Sequence, residues 1–205
     1  MCWKKGLIMQ IKAVIMCLAI YGIVNADEIK PQLLQGSESP VISSPTKDGY
    51  CYVFADSTII TKSISGNVGE QVQIRPISDR KCKWDSSGSS WTINNDASYF
   101  WGKWKSFVFL DQGTGPDMRQ LLIFDMRSHN QQFVDSYALP IQIIGSNIQY
   151  WQAIPTIATK KNCDKFAQAV KTGLTPQIQQ HISVNLSNTA FATKVLADKR
   201  CSLTQ

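Results

Sequence analysis

Histidine and glutamate are scarce in this chain. It has two histidines, His129 and His181, and three glutamates, Glu28, Glu38 and Glu70. Nucleophilic catalysis needs a base beside the nucleophile. His129 falls in a predicted hairpin turn and His181 on a predicted strand, and neither has a serine elbow such as GxSxG near it. Ser87-Gly88-Ser89 lacks the strand–turn–helix setting of such an elbow. Glycoside hydrolysis needs a pair of carboxylates. Glu28 and Glu38 lie in a polar leader, and Asp111, Asp117, Asp125 and Asp135 read as strand-end and turn residues. The cysteines have no CxxC spacing, which removes the usual zinc and thioredoxin-type signatures. There is no firm internal repeat, so a full propeller is not supported. The expectation from these absences is a protein that is not an enzyme and carries no cofactor.

A long apolar run is missing too. The longest, Ala13 to Val24, falls short of the roughly 20 residues that span a bilayer. Lys4, Lys5 and Lys12 precede it, and Val24-Asn25-Ala26 ends it, which is the pattern of a signal peptide over 1–26, cut after Ala26. Met9 serves as well as Met1 for the start, since Lys12 remains. Cys17 has no lipoprotein box around it. Removal of the three lysines, with no acid lost, lowers the formal charge from +6 to +3. The high pI therefore belongs partly to the export signal, and a nucleic-acid partner is not expected. Nor is a membrane span after cleavage.

Four cysteines remain: Cys51, Cys82, Cys163 and Cys201. An even number in an oxidising compartment predicts two disulfides. Of three connectivities, Cys51–Cys82 and Cys163–Cys201 is the pairing expected, because each closes a loop within one contiguous segment.

Residues 27–49, rich in Ser, Pro and Gly, read as a flexible leader, with Val41-Ile42 a candidate edge strand. Residues 50–205 read as one β-rich domain. Short strands with turn chemistry between them run from Tyr50 to Ile93, including Lys81-Cys82-Lys83-Trp84. Ser106 to Trp151 is the most apolar stretch and has the rhythm of an antiparallel meander, part of a sandwich or a blade-like sheet. A break is expected at Pro140. From Asn162 the spacing of Phe166, Ala169 and Val170 predicts the one short helix, over Cys163–Thr172, with Asn162 as N-cap and Gly173 at C′. A strand follows Pro176, and Phe191–Cys201 is ambiguous. Asn185-Leu186-Ser187 matches a glycosylation pattern that a bacterial protein would not use.

Two features are candidate binding sites. The first is the aromatic–lysine strand, where Lys103 and Lys105 interleave with Trp101 and Trp104. Such rings stack on sugars or anchor a protein partner; in the plainer reading the strand covers the core and its lysines reach water. The second is the loop Asp111-Gln-Gly-Thr-Gly-Pro-Asp117. With Gly113 and Gly115 at intermediate positions, and only Asp111 and Asp117 charged, it is a poor Ca²⁺ loop. It reads better as a long hairpin loop, or as a rigid finger for a partner. The function expected is that of a non-catalytic protein of the bacterial envelope, periplasmic or secreted. Its partner would be a protein: an inhibitor or immunity protein blocking a cell-wall-degrading or other envelope-acting enzyme or toxin. A carbohydrate- or peptidoglycan-binding module and a structural part of a surface assembly are the alternatives.

Overall fold

The computed structural model describes residues 31–204 except 89, 114, 116–118, 188 and 189. The expected signal peptide, 1–26, and Asp117 lie outside the described residues.

Among the described residues, twelve strands build two antiparallel sheets. The first sheet holds β1 (Ile42–Pro45), β2 (Tyr50–Val53), β3 (Ser57–Ser63), β4 (Glu70–Pro76) and β5 (Trp91–Asn94) in that order. The second holds β6 (Ser98–Trp104), β7 (Phe107–Gln112), β8 (Arg119–Asp125), β9 (Asn130–Ile144), β10 (Asn147–Ala153), β11 (Thr175–Asn185) and β12 (Thr193–Thr204), also in sequence order. Within each sheet, every strand therefore pairs only with its neighbours in the chain, the arrangement that short turns favour. The fold is mainly β with one short helix, as the sequence predicts.

The apolarity of Ser106–Met126 now has a cause. Val108, Leu110, Leu122 and Phe124 point to one side and meet Tyr52, Phe54, Ile59, Val72 and Ile93 of the first sheet. Phe107, Phe109, Leu121 and Ile123 point to the other side and join a second core with Ile148, Tyr150 and Ile182. Successive strand residues face opposite ways, so β7 and β8 are buried on both faces and need apolar residues at nearly every position.

The expected flexible leader over 27–49 is not observed from Leu34 onward. The Leu34 and Glu38 N–H groups donate to the Trp101 and Lys103 carbonyls of β6 (2.6 and 2.7 Å), while the Gln35 carbonyl accepts from Ile143 N–H of β9 (2.8 Å). Gln35 also bridges Gln142 in parallel. Segment 34–38 thus links the outer edge of β6 to β9 and closes β6–β9 around the second core, in which Leu34 is buried. Gly36, at φ 80°, is required here, because a Cβ would stand 2.1 Å from the Ile143 carbonyl oxygen. Ser/Pro-rich composition signals disorder only where no backbone partner is on offer, and here the edge of β6 and the part of β9 that extends beyond its pairing with β8 offer partners. Further on, β1 pairs with β2.

Other boundaries move for identifiable reasons. β9 runs fifteen residues without the break expected at Pro140. The register shifts between Gln149 and Trp151 of β10, so Pro140 sits opposite an irregularity where no ladder N–H is required. Lys81–Trp84 is not a strand; its Lys81 and Lys83 carbonyls accept from the buried Arg75 guanidinium. β11 begins before Pro176, and the ambiguous tail is strand. The helix, α1 (Phe166–Thr172), is shorter than expected, with Lys165 rather than Asn162 in front of it. Asn162 Oδ1 instead accepts from Thr159 N–H (2.7 Å) within its own loop. Gly173 ends the helix in the left-handed conformation (φ 70°). Ala169 is buried, but Val170 is 71% exposed.

The disulfides are Cys51–Cys82 and Cys163–Cys201, with Cα separations of 5.5 and 5.1 Å. Such bridges persist in oxidising compartments, consistent with an extracytoplasmic protein. Among the described residues no helix is long and apolar enough to cross a membrane.

Candidate functional site

The aromatic–lysine strand is β6, and its side chains turn inward more than outward. Trp101 packs against the second core, 5.2 Å from the Tyr137 ring, and Trp104 packs on the same core. Lys103 is fully buried. Its ammonium donates to Glu38 Oε2 (2.7 Å), pairs with Asp56 Oδ2 (3.1 Å) and lies 5.4 Å from the Phe54 ring centroid. Lys103 therefore does not reach water, contrary to the plainer expectation. An ammonium withdrawn from water is tolerated only when paired and hydrogen-bonded, and two carboxylates meet that need. Lys105 takes a left-handed conformation (φ 52°) in the turn after β6. Its N–H donates to Glu38 Oε1 (2.5 Å), and its ammonium stands 4.4 Å from the Trp104 ring centroid. Glu38 and Asp56 were not legible as partners. They lie far from Lys103 in sequence, and no spacing rule connects them.

Asp111 is the penultimate residue of β7, with Gly113 and Gly115 in the connection beyond it. Its carboxylate is clamped across the hairpin: Arg119 Nε donates to Oδ1 (2.7 Å) and Arg119 Nη2 to Oδ2. The Tyr137 hydroxyl donates to Oδ1 as well (2.7 Å). Arg119 Nη1 donates to the Gly115 carbonyl (3.1 Å), so one guanidinium holds both the stem and the loop. Gly113, at φ 139°, lets the backbone turn beside Arg119. The Asp111 bonds raise the Arg119 pKa, and burial, then Asp111, raises that of Tyr137. With both oxygens engaged, Asp111 is a poor candidate for cation ligation. The grouping of Cys163, Asp164 and Cys201 offers no metal site either, since both sulfurs are in the disulfide.

The register aligns Asp111, Leu121 and Asp135 in one row across β7, β8 and β9. Asp135 is thus a mid-strand residue facing the second core, not a turn residue. It accepts from the Tyr150 hydroxyl (2.5 Å) and Gln152 Nε2 (2.6 Å). Two carboxylates in a row two strand spacings apart, about 10 Å, are each satisfied by donors of the protein.

The histidines lie on separate surfaces, each stacked on a tryptophan. His129 (φ 58°) stacks on Trp91 at 4.7 Å, beside a cleft of about 460 Å³ also lined by Asp56, Arg75 and Asp79. His181 stacks on Trp151 at 4.8 Å.

Compared with known proteins, the chain matches no family, no curated protein and no solved structure.

Proposed function

We propose that the protein is exported to the bacterial envelope, periplasmic or secreted, and acts there without catalysis as an inhibitor or immunity protein. In this reading it blocks a cell-wall-degrading or other envelope-acting enzyme or toxin with the hairpin loop 113–118. The observation that carries the reading is the clamp at the base of that loop, where Arg119 grips Asp111 with two nitrogens and Gly115 with a third. Bidentate guanidinium–carboxylate pairs fix orientation as well as adding energy. Asp111 and Gly115, held in place before binding, give up less entropy on association, which favours tight blocking of a cleft. The two disulfides and the doubly buried β7–β8 hairpin beneath the loop suit the same task.

The test compares the protein with a variant whose residues 113–118 are replaced by Gly and Ser at equal length. Both are immobilised, exposed to envelope extract, and the captured proteins are identified and assayed. The expected result is one enzyme or toxin retained and inhibited by the natural loop and released by the variant. Equal retention by both, or recovery of glycan with no protein, overturns the reading.

A further inference from the structure

His181 lies on β11 with its Nδ1 atom buried and without a hydrogen bond. Its ring is fixed. It stacks on Trp151, 4.8 Å between centroids and 13° between planes. The Arg200 guanidinium steadies the same indole, with its carbon 4.4 Å from the ring centroid, Nε donating to Gln179 Oε1 (2.7 Å) and Nη2 donating to the Leu139 carbonyl. Asp198 Oδ2 stands 3.6 Å from His181 Nδ1, beyond a hydrogen bond but within ion-pair reach. The two side chains differ in exposure, 20% for His181 and 73% for Asp198. Asp198 also sits in an irregularity of β12. Gln180 pairs with Lys199 and Ile182 with Val195, so Leu196, Ala197 and Asp198 stand against His181 alone. Among the described residues no further strand pairs with β12. The carboxylate is therefore carried on a bulge of an edge strand, and the Cys163–Cys201 bridge anchors that strand just beyond it.

The charges around this point are set by the register. Alternation puts Asp198 and Arg200 on the face of β12 that meets His181 and Trp151, and Lys199 on the other face beside Gln180. Lys194 pairs with Ser183, one row away on the face of His181. On β10 and β9 the residues in line with His181 are Trp151 and Ala138, neither of them titratable. Asp198 is the one carboxylate within ion-pair distance of His181 among the described residues. A neutral imidazole leaves Nδ1 either as a lone pair facing a carboxylate or as an N–H short of its acceptor, and an unmet buried polar atom costs free energy. A protonated imidazole presents a charged N–H, which a carboxylate accepts at shorter distance. The ring is pinned and the bulge is exposed, so the bulge is the part that moves. We propose that protonation of His181 draws Asp198 onto Nδ1 and fastens the 196–198 bulge of β12 to β11, and that deprotonation releases it. Arg200 and Lys194 oppose the added positive charge, and Asp198 offsets them. This acid-closed clasp does not rest on the function proposed above.

The test follows the NMR signals of the His181 ring and of the backbone amides from about pH 8 to about pH 5.5, which spans the ordinary imidazole range while exposed carboxylates stay ionised. The expected result is that the amides of Leu196, Ala197 and Asp198 move with the same midpoint as the His181 ring. In Asp198→Asn the ring should still titrate, but those amides should lose most of their movement. Melting temperatures give a second reading. Wild type and Asp198→Asn should melt together at the alkaline end, and wild type should gain about 2 °C over the variant at the acid end. His129 titrates in both proteins and cancels from the difference. The gain should vanish when both proteins also carry His181→Gln, and should persist when both carry Lys194→Gln. Equal amide movement in Asp198→Asn, a melting difference that does not change with pH, or one that survives His181→Gln overturns the proposal. Should His181→Gln fail to fold, the comparison with Asp198→Asn, a change at an exposed position, decides by itself.

Discussion

Glu70 is a single residue with a pH signature. It sits on β4 and accepts from Phe100 N–H of β6 (3.2 Å) and from the Thr61 hydroxyl (3.4 Å). Burial raises its pKa, outweighing both hydrogen bonds. A carboxyl with a raised folded pKa favours the folded state when protonated. Its contribution is fully present below the unfolded value near 4.3 and is lost as pH rises through the folded value. Glu70→Gln keeps an acceptor and does not titrate. The melting temperature of the variant relative to wild type should therefore climb from pH 4 to pH 7; a flat difference would contradict the assignment. The Lys103 cluster makes a second residue-scale prediction. Glu38→Ala leaves a fully buried ammonium with only Asp56, and hands the exposed Lys105 N–H to water. It should cost about 2–3 kcal/mol in denaturant unfolding. Lys103→Met should cost less, because Glu38 and Asp56 are 37% and 54% exposed and can turn to water. The reverse order of costs would show that the ammonium is not held as described.

At the scale of elements, Arg119 ties the strands of the hairpin β7–β8 to Gly115. Arg119→Met removes three donors from Asp111 and Gly115 but keeps the stem length. Limited proteolysis should then cut beside Gly115 severalfold faster than in wild type, with β7 and β8 still protected; unchanged cutting would mean that the clamp does not hold Gly115. Much of this level could be read in the sequence. Turn chemistry marked β7, β8 and β10, because each neighbour in the sheet is a neighbour in the chain. What escaped reading depends on distant partners. Segment 34–38 looks polar and loose because its order comes from backbone bonds to β6 and β9. Lys81–Trp84 looks like a strand, but Arg75 takes its carbonyls. Among the expected site residues, Lys103 was the least legible. An alternating strand predicts which side a lysine faces, but not that two carboxylates wait there.

At the scale of the whole molecule, the disulfides close loops of 31 and 38 residues. By loop entropy each should add roughly 4 kcal/mol. Replacing either pair with alanine should lower unfolding stability by an amount of that order, and non-reducing peptide mapping should return only the two pairings. The two cores share β7 and β8 as a common wall. Thermal unfolding should accordingly give one transition, with tryptophan fluorescence and far-UV circular dichroism coinciding.

Segment 34–38 is synthesised long before its partners. Glu38 meets Lys103 across 65 residues, and Gln35 meets Gln142 later still. Until it docks, β6 has an open edge, and any copy of the same segment fits that edge equally well. Refolding at high concentration should therefore yield dimers that exchange residues 34–38, separable by size exclusion and slow to revert after dilution. Glu38→Ala, which loosens the segment in both forms, should shorten their lifetime. Crowding during folding thus becomes a hazard specific to this topology, set by the distance along the chain between segment 34–38 and the edge of β6 that receives it.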